Sequence, residues 1–147
     1  MSLSTRRVFL RVCAAGTACG LAAGCGSQSG SPAEFGDAAA GNISNIPVGT
    51  LRQVPSFPVF IGRDAAGLYA LTSTCTHAGC DVETQGTGDA ASFFCPCHGS
   101  TFDRNGAVTH GPAPSPLVHF AVELDAPGNV TIHGAVQVAA ATRVAVG

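Results

Sequence analysis

A chain of 147 residues has room for one folded domain rather than two. Charged residues make up only 11% of it, and its seven basic residues are all arginines, too sparse for the basic stripe of a nucleic-acid surface. Three of these arginines precede residue 12, so a chain without that end would carry four arginines against nine acidic residues, a net charge of −5. Such a surface favours positively charged partners through electrostatic steering.

The first residues have the features of an export signal. Ser4–Leu10 contains the pair Arg6 and Arg7 followed by apolar residues, which resembles the twin-arginine signal. The 13 residues of 12–24 are uncharged and rich in alanine and glycine. This stretch is shorter than the roughly 20 residues that span a membrane, and its glycines disfavour the alternative of a buried helix. We expect residues 1–24 to be a signal peptide.

The segment Leu21–Cys25 resembles a bacterial lipobox, in which the cysteine after the cleavage site is lipidated. Ala22 stands where leucine is usual, so three outcomes remain open: lipidation of Cys25, ordinary cleavage that leaves a soluble protein, and an uncut N-terminal anchor. In each case we expect the domain on the periplasmic side of a bacterial inner membrane. Mass spectrometry of the mature N-terminus distinguishes the three.

Residues 25–45 are small and polar and show no periodicity, which predicts a flexible tether. A linker of about 20 residues has a root-mean-square reach of roughly 25 Å, which would let a domain swing between two sites near a membrane. A plain spacer without that role is the alternative.

From residue 46 onward, short apolar runs broken by turn residues predict an all-β domain of about 100 residues with antiparallel strands. The clearest element is a hairpin, in which Phe57–Ile61 and Leu68–Thr72 flank a turn at 63–67. No stretch after residue 45 has a useful helical period. Further strands are expected at 91–94, 117–124, 130–133 and 136–146.

Seven cysteines is a high count for this length, and four of them lie within 23 positions of each other, beside two histidines. They form two boxes, 75–80 and 95–100, whose sequences are C-T-H-A-G-C and C-P-C-H-G-S. Each box has a cysteine and a histidine at close spacing and one further cysteine. Thiolates and imidazoles in this arrangement are typical of metal ligands.

These boxes are the motifs of the Rieske family of iron–sulfur proteins, which the sequence resembles over 46–147. A third element, Gly111–Leu117, looks like the proline loop that covers the cluster in that family. The resemblance implies a Rieske fold: an antiparallel β-sandwich or barrel base domain from 46–73 and 118–147, with a small cluster-binding insert at 74–117.

The resemblance implies one 2Fe–2S cluster held by a cysteine and a histidine from each box: Cys75, His77, Cys95 and His98. The cysteines would bind the inner iron and the histidines the outer iron. Two thiolates and two neutral imidazoles leave the oxidised cluster neutral, whereas four thiolates would make it a dianion. An electron therefore enters more easily, and potentials lie at about −150 to +300 mV instead of about −400 mV. The outer imidazole nitrogen also offers a proton site, which suits quinol oxidation.

Other family positions would support the cluster. Cys80 and Cys97 would form a disulfide that ties the boxes together, and such a bond persists in an oxidising compartment. Ser100 matches the position whose hydroxyl bonds a bridging sulfide. The covering loop supplies Gly111, Pro112 and Pro114.

Phe102 departs from the pattern of high-potential members, which have a tyrosine there that donates to a cysteine sulfur. A phenylalanine ring cannot make this bond, and hydrogen bonds to sulfur favour the reduced state. We therefore expect a potential below that of members carrying both the serine and the tyrosine.

Two alternatives use the same residues differently. Structural zinc usually pairs C-x-x-C with H-x₃₋₅-H, unlike the mixed boxes here, and a pure disulfide scaffold leaves both histidines unexplained. Visible colour and an EPR signal separate them from a Rieske cluster. We expect His110, His119 and His133 to be ordinary strand or loop residues, and Asp103 and Arg104 to shape a turn with Asn105-Gly106.

The favoured function is one-electron transfer as the iron–sulfur subunit of a quinol-oxidising cytochrome bc-type complex, with a cytochrome b or c as protein partner. A small Rieske subunit of another exported oxidoreductase, as in the molybdenum-containing arsenite oxidases, and a stand-alone periplasmic carrier are alternatives. The Rieske ferredoxin of an oxygenase system is disfavoured by the export signal and the extra cysteines.

Overall fold

The computed structural model describes residues 35–147, and this part of the chain is almost entirely β. Two short 3-10 helices at Ile43–Asn45 and Gly88–Ala90 accompany the strands. The predicted signal peptide, Cys25 and the start of the predicted tether lie outside the described residues. The ten strands are β1 Asp37–Asn42, β2 Leu51–Gln53, β3 Val59–Asp64, β4 Gly67–Thr72, β5 Glu83–Gln85, β6 Ser92–Phe94, β7 Thr101–Asp103, β8 Val108–His110, β9 His119–Leu124 and β10 Asn129–Val138.

The strands form two sheets with antiparallel pairing throughout, which confirms the predicted fold class. The base sheet has six strands in the order β1-β10-β9-β4-β3-β2. The second sheet has four strands in the order β5-β6-β7-β8, and all of them fall within residues 74–117. The second sheet is thus inserted between β4 and β9, which are neighbours in the base sheet.

The base sheet buries both of its faces, because side chains alternate along each strand. On one face, Val59 and Ile61 belong to a core formed by the base strands and the N-terminal segment. On the other face, Phe60 and Leu71 belong to a second core, shared with the four-stranded sheet through Phe93 and further insert residues. The second core therefore fixes the insert on the base.

The hairpin predicted over 57–72 is confirmed, with β3 and β4 paired from Val59↔Thr72 to Asp64↔Gly67. The carboxylate of Asp64 accepts hydrogen bonds from the backbone N–H groups of Ala66 and Gly67, at 2.9 and 3.1 Å. An aspartate whose side chain accepts hydrogen bonds from the backbone two and three residues later stabilises a tight turn. The predicted turn at 63–67 contains such an aspartate.

The tether prediction is wrong for residues 37–45. β1 pairs with β10 at the edge of the base sheet, with Asp37 opposite His133, and Ala38 and Ala40 are buried. Phe35 extends the contact, since its ring lies 5.1 Å from that of Phe120. The alternation of small buried and exposed residues is a strand pattern, but alanine carries so little apolar surface that composition alone resembles a linker.

The C-terminal strand prediction is also wrong in part. β10 is one strand that includes the predicted 130–133 and ends at Val138, and the following residues fold back instead of continuing to 146. There Val144 makes an isolated bridge to Leu68. Five strands have only three residues each, too few to show a period in the sequence, and four of them, β2, β5, β7 and β8, were not predicted; only β6 coincides with a predicted strand.

No helix within residues 35–147 has the length and apolar character needed to cross a membrane.

Position 62 requires a glycine because the ring of Tyr69 packs across it. Its cross-strand partner is Tyr69, and a Cβ on Gly62 would lie 2.3 Å from the Tyr69 ring. That ring cannot move aside, because Arg104 bonds its hydroxyl and Arg143 stacks on its face at 4.1 Å.

We therefore expect Gly62→Ala to destabilise the domain by about 1–3 kcal/mol, the usual cost of overpacking. Urea unfolding measures the effect. Gly36→Ala is the control, since a Cβ at that position meets nothing within 4 Å. Equal stability of the two variants would contradict the account.

His133 ties three strands of the base sheet. Its ring nitrogens lie 2.8 Å from Asp37 of β1 and 3.1 Å from Glu123 of β9. The hydrogen bond with Asp37, followed by that with Glu123, raises the pKa of His133 above its usual value.

A raised pKa means that the folded state binds the proton more tightly than the unfolded chain. The stabilisation by His133 is then fully present below about pH 6.5 and is lost as the pH rises through the higher folded-state pKa. We expect the stability difference between wild type and His133→Gln to be larger at low pH than at high pH in urea unfolding. His110→Gln, at an exposed histidine, should give a difference that does not follow this trend.

Candidate metal centre

The two boxes form loops with matching backbone hydrogen bonds. The N–H of Cys75 donates to the carbonyl of Cys80 at 2.7 Å, and the N–H of Cys95 donates to the carbonyl of Ser100 at 2.8 Å. Both loops therefore close between their first and sixth residues. One loop follows β4 and the other joins β6 to β7, so each is held at the end of a strand.

A glycine in the fifth position completes each loop. Gly79 and Gly99 both have a φ of +76°, and each donates its N–H at 3.0 Å to the carbonyl of the cysteine that opens its loop. This left-handed conformation favours glycine. The third position of the loop is then His77 in one box and Cys97 in the other, so similar backbones present different donors.

The opening cysteines place two thiols together in the second core. Cys75 and Cys95 are 0% and 2% exposed, and they are the free cysteines among the residues that the structure describes. Burial raises the pKa of the Cys95 thiol, and a hydrogen bond with Cys75 raises it further. The Cys95 thiol becomes a thiolate only if a cation lies beside it, so this pair of buried thiols suits a metal.

The two box histidines face each other. The ring centroids of His77 and His98 lie 4.7 Å apart with an interplanar angle of 87°. Nδ1 of His77 is buried and has no hydrogen-bond partner within residues 35–147. Leaving such an atom unpaired costs about 1–3 kcal/mol, whereas a metal bond would satisfy it. His98 is exposed, so its ring forms part of the surface.

Cys80 and Cys97 are joined in a disulfide, as the family resemblance implies. Their sulfur atoms and that of Cys95 lie within 4.8 Å of one another. This trio is not a metal site, because two of its sulfurs are bonded to each other. The short distances show instead that the disulfide packs directly against the buried thiol of Cys95 and ties the two loops together.

The proline loop is held against both boxes. The hydroxyl of Thr76 donates to the carbonyl of Ser115 at 2.6 Å, and the N–H of Ala113 donates to the hydroxyl of Ser100 at 3.1 Å. A Cβ on Gly111 would lie 2.6 Å from Ser100 Cα, so glycine allows the close approach. Pro112 and Pro114 are exposed, whereas Ala113 between them is buried.

Ser100 and Phe102 lie behind the boxes. Ser100 is fully buried, and since its oxygen accepts from Ala113, its own proton remains free to donate. Phe102 is also fully buried and shares the second core with both free thiols. The ring therefore lies in the same core as the two thiols.

The residues outside the boxes largely follow expectation. Asp103 shapes the predicted turn, accepting from the N–H groups of Asn105 and Ala107 at 2.9 and 2.8 Å. His110 is exposed and His119 is buried on β9. The sequence analysis did not predict the contact of Thr76 with the proline loop, although the position of Thr76 inside a box indicated a role at the site. It also did not predict that the Arg104 side chain extends from the turn to contact the base sheet.

The sequence model of the Rieske [2Fe-2S] domain matches residues 37–124. The chain belongs to the Rieske family. The match begins where β1 begins, which agrees with the corrected start of the folded domain. The donor set of two buried thiols and two facing imidazoles fits the cofactor of that family, and we therefore assign the chain a Rieske 2Fe–2S cluster.

The relatives of this Rieske chain include cytochrome b6-f complex iron-sulfur subunits. It is 34% identical over 144 residues to a cytochrome b6-f complex iron-sulfur subunit from Prochlorococcus marinus strain SARG, covering 82% of this chain and 80% of the relative. It is 39% identical over 104 residues to the subunit of the same name from Synechococcus strain WH7803, covering 65% of this chain and 57% of the relative. The chain thus spans little more than half of that relative.

A solved structure shares the fold. It is described as the complex of reduced oxygenase and oxidized ferredoxin in carbazole 1,9a-dioxygenase, and the matched chain is 29% identical with a TM-score of 0.51. The match covers 70% of this chain and 97% of the other.

We expect Phe102→Tyr to raise the reduction potential, because a phenol hydroxyl in this core can donate to a cysteine sulfur and stabilise the reduced state. A redox titration followed by EPR measures the shift. Phe94→Tyr is the control, since Phe94 lies one residue from Phe93 on β6 and so on the opposite face of the insert sheet. A Phe102→Tyr protein with an intact cluster and an unchanged potential would refute the idea.

Proposed function

We propose that Cys75 and Cys95 bind one iron of the cluster and that His77 and His98 bind the other. The observation that carries this assignment is the pairing of two buried, unoxidised thiols with a buried histidine nitrogen that has no partner in the described chain. The remaining two cysteines of the boxes are a disulfide and do not compete as ligands.

When bound, the cluster accepts and releases one electron at a time. The chain's residues decide where that exchange takes place. The thiol side is enclosed by the second core, whereas His98 is exposed beside the exposed prolines of the covering loop. A partner therefore meets the cluster through the imidazole side, and the free ring nitrogen of His98 can hold or release a proton at that surface.

We infer that the domain works as the iron–sulfur subunit of a quinol-oxidising cytochrome bc-type complex. The relatives named as cytochrome b6-f complex iron-sulfur subunits support this role. In it, His77 or His98 would accept a hydrogen bond from the quinol, and a cytochrome would take the electron. The exposed imidazole of His98 suits both contacts.

The proposed location is the outer face of a bacterial membrane, with the chain exported and held by lipidated Cys25, by an uncut anchor, or by its partners alone. The disulfide supports an oxidising compartment, because thiols in the cytosol are kept reduced. Its relatives are named as subunits of the cytochrome b6-f complex, which agrees with a location beside a membrane.

Other roles use the same cluster. The chain could instead be a small subunit of an exported molybdenum oxidoreductase or a free periplasmic carrier. In both roles the cluster only transfers electrons and takes no part in quinol oxidation. Similarity to a chain of an oxygenase–ferredoxin complex supports the role of a Rieske ferredoxin in an oxygenase system. The disulfide between Cys80 and Cys97 disfavours that role, because such a carrier works in the cytosol.

The decisive experiment purifies the full-length tagged protein with its partners from its native membranes. We expect iron and acid-labile sulfide in equal amounts, a Rieske EPR signal after reduction, and a co-purifying cytochrome b. We expect His77→Gln and Cys95→Ser to lose iron, sulfide and signal, whereas His110→Gln should retain all three because that histidine lies outside both boxes.

The outcomes separate the roles. A large molybdenum protein in place of the cytochrome would support the second role, and a cluster without any partner would support a free carrier. Wild-type protein without iron or labile sulfide would remove the ligand assignment and the electron-transfer function together.

A further inference from the structure

Arg104 carries a positive charge into the junction between the insert and the base sheet. Its side chain is only 13% exposed, although it follows directly after β7. Its guanidinium donates to the hydroxyl of Tyr69 at 2.9 Å and to the backbone carbonyls of Arg63, Thr50 and Gly88, the first two at 2.9 and 3.1 Å. All four acceptors are neutral groups.

This charge has no buried counter-ion within the described chain. The nearest carboxylate belongs to Asp89, at 3.9 Å, and its side chain is fully exposed. An ion pair with one partner in water is screened and contributes little. Burial raises the pKa of Tyr69, so its hydroxyl stays neutral at physiological pH and does not balance the guanidinium.

The junction holds the guanidinium in place. Gly62 leaves room for the Tyr69 ring, and Arg143 stacks on that ring at 4.1 Å. Arg143 also bonds Asp64 at 2.7 Å and so is itself paired with a carboxylate. Of the two arginines at Tyr69, Arg104 is therefore the one whose charge stays uncompensated.

Arg104 is also connected directly to the cluster loops. β7 leads from Ser100, the last residue of the second box, to Arg104 four positions later. An extended strand rises about 3.3 Å per residue, so the two backbones are separated by roughly 13 Å. The second core, with Phe93 and Phe102, fills the space behind the boxes with apolar groups. Arg104 is moreover the only arginine, and there is no lysine, in residues 74–117.

We propose that Arg104 is an electrostatic determinant of the cluster's reduction potential: its enclosed, uncompensated positive charge stabilises the reduced cluster, which holds one more electron. The proposal rests on the cluster assignment made above. The step is uptake of a single electron from the redox partner, with no bond made or broken in the protein.

The expected size follows from Coulomb's law. If the backbone separation of roughly 13 Å between Ser100 and Arg104 is taken as the scale of the distance, a unit charge in a medium with an effective dielectric constant of about 20 changes the reduction equilibrium by about tenfold. For a one-electron couple, a tenfold change corresponds to 59 mV. The effect should persist at high salt, because a largely enclosed charge is poorly screened.

The test is an EPR-monitored redox titration of the cluster-loaded protein at low and high salt. We expect Arg104→Gln to lower the midpoint by up to that tenfold equivalent at both salt concentrations. Arg104→Lys keeps the charge, and Tyr69→Phe keeps the arginine while removing one hydrogen bond, so both should stay near the wild-type midpoint.

Arg52→Gln is the matched control. It removes the same unit of charge, but the Arg52 side chain bonds the carbonyl of Ala40, whereas its neighbour Leu51 packs toward the insert. Arg52 therefore lies on the face of the base sheet away from the cluster. Its substitution should leave the midpoint near that of wild type at high salt.

Three results would overturn the proposal. The first is an Arg104→Gln protein with the wild-type EPR spectrum and midpoint. The second is a fall of equal size in Tyr69→Phe, which would assign the effect to the hydrogen bond. The third is a fall in Arg104→Lys, which decides the matter even if Arg104→Gln fails to assemble. Failure of the cluster assignment looks different, because wild type itself would then give no Rieske signal.

Discussion

Cys75 and Cys95 meet as two thiols inside an apolar core, and burial there raises the pKa of Cys95, so its thiolate form needs a cation close by. Several features of the insert serve to bring these two groups together. The loops that carry them close with the same backbone bonds, and the disulfide joins one loop to the other. The proline loop then covers both through Thr76 and Ser100. The metal-binding geometry is thus a property of three chain segments rather than of one motif.

The base sheet contributes rigidity rather than donors. It buries both faces, and the face toward the insert carries large side chains such as Phe60 and Leu71. A cluster that gains and loses electrons benefits when the loops that hold it rest on a support that does not rearrange, since electron transfer is fast when the surroundings stay the same. The junction around Tyr69 adds polar contacts to this support, because Arg104 bonds the hydroxyl of the ring and Arg143 stacks on its face.

The sequence predicted the parts of the molecule whose chemistry is local. The hairpin at 57–72 has a turn aspartate and two apolar runs, and the boxes have donors at short spacing, so both could be identified before any contact was known. The edge strand β1 was missed because its inward residues are alanines, which give almost no hydrophobic signal. The reach of Arg104 was missed for a different reason. Its acceptors, Tyr69, Arg63, Thr50 and Gly88, come from distant parts of the sequence, and only the packing of insert on base brings them together.

The placement of β1 has a practical consequence for anyone who prepares a soluble form of the domain. A truncation at residue 46, where the composition changes, would remove the outer strand of the base sheet and uncover the hydrogen-bonding edge of β10. It would also remove Phe35, leaving Phe57 and Phe120 without their aromatic neighbour. An uncovered edge of this kind invites pairing between chains. Shortened forms should therefore begin before Phe35, or aggregation will be mistaken for a property of the protein.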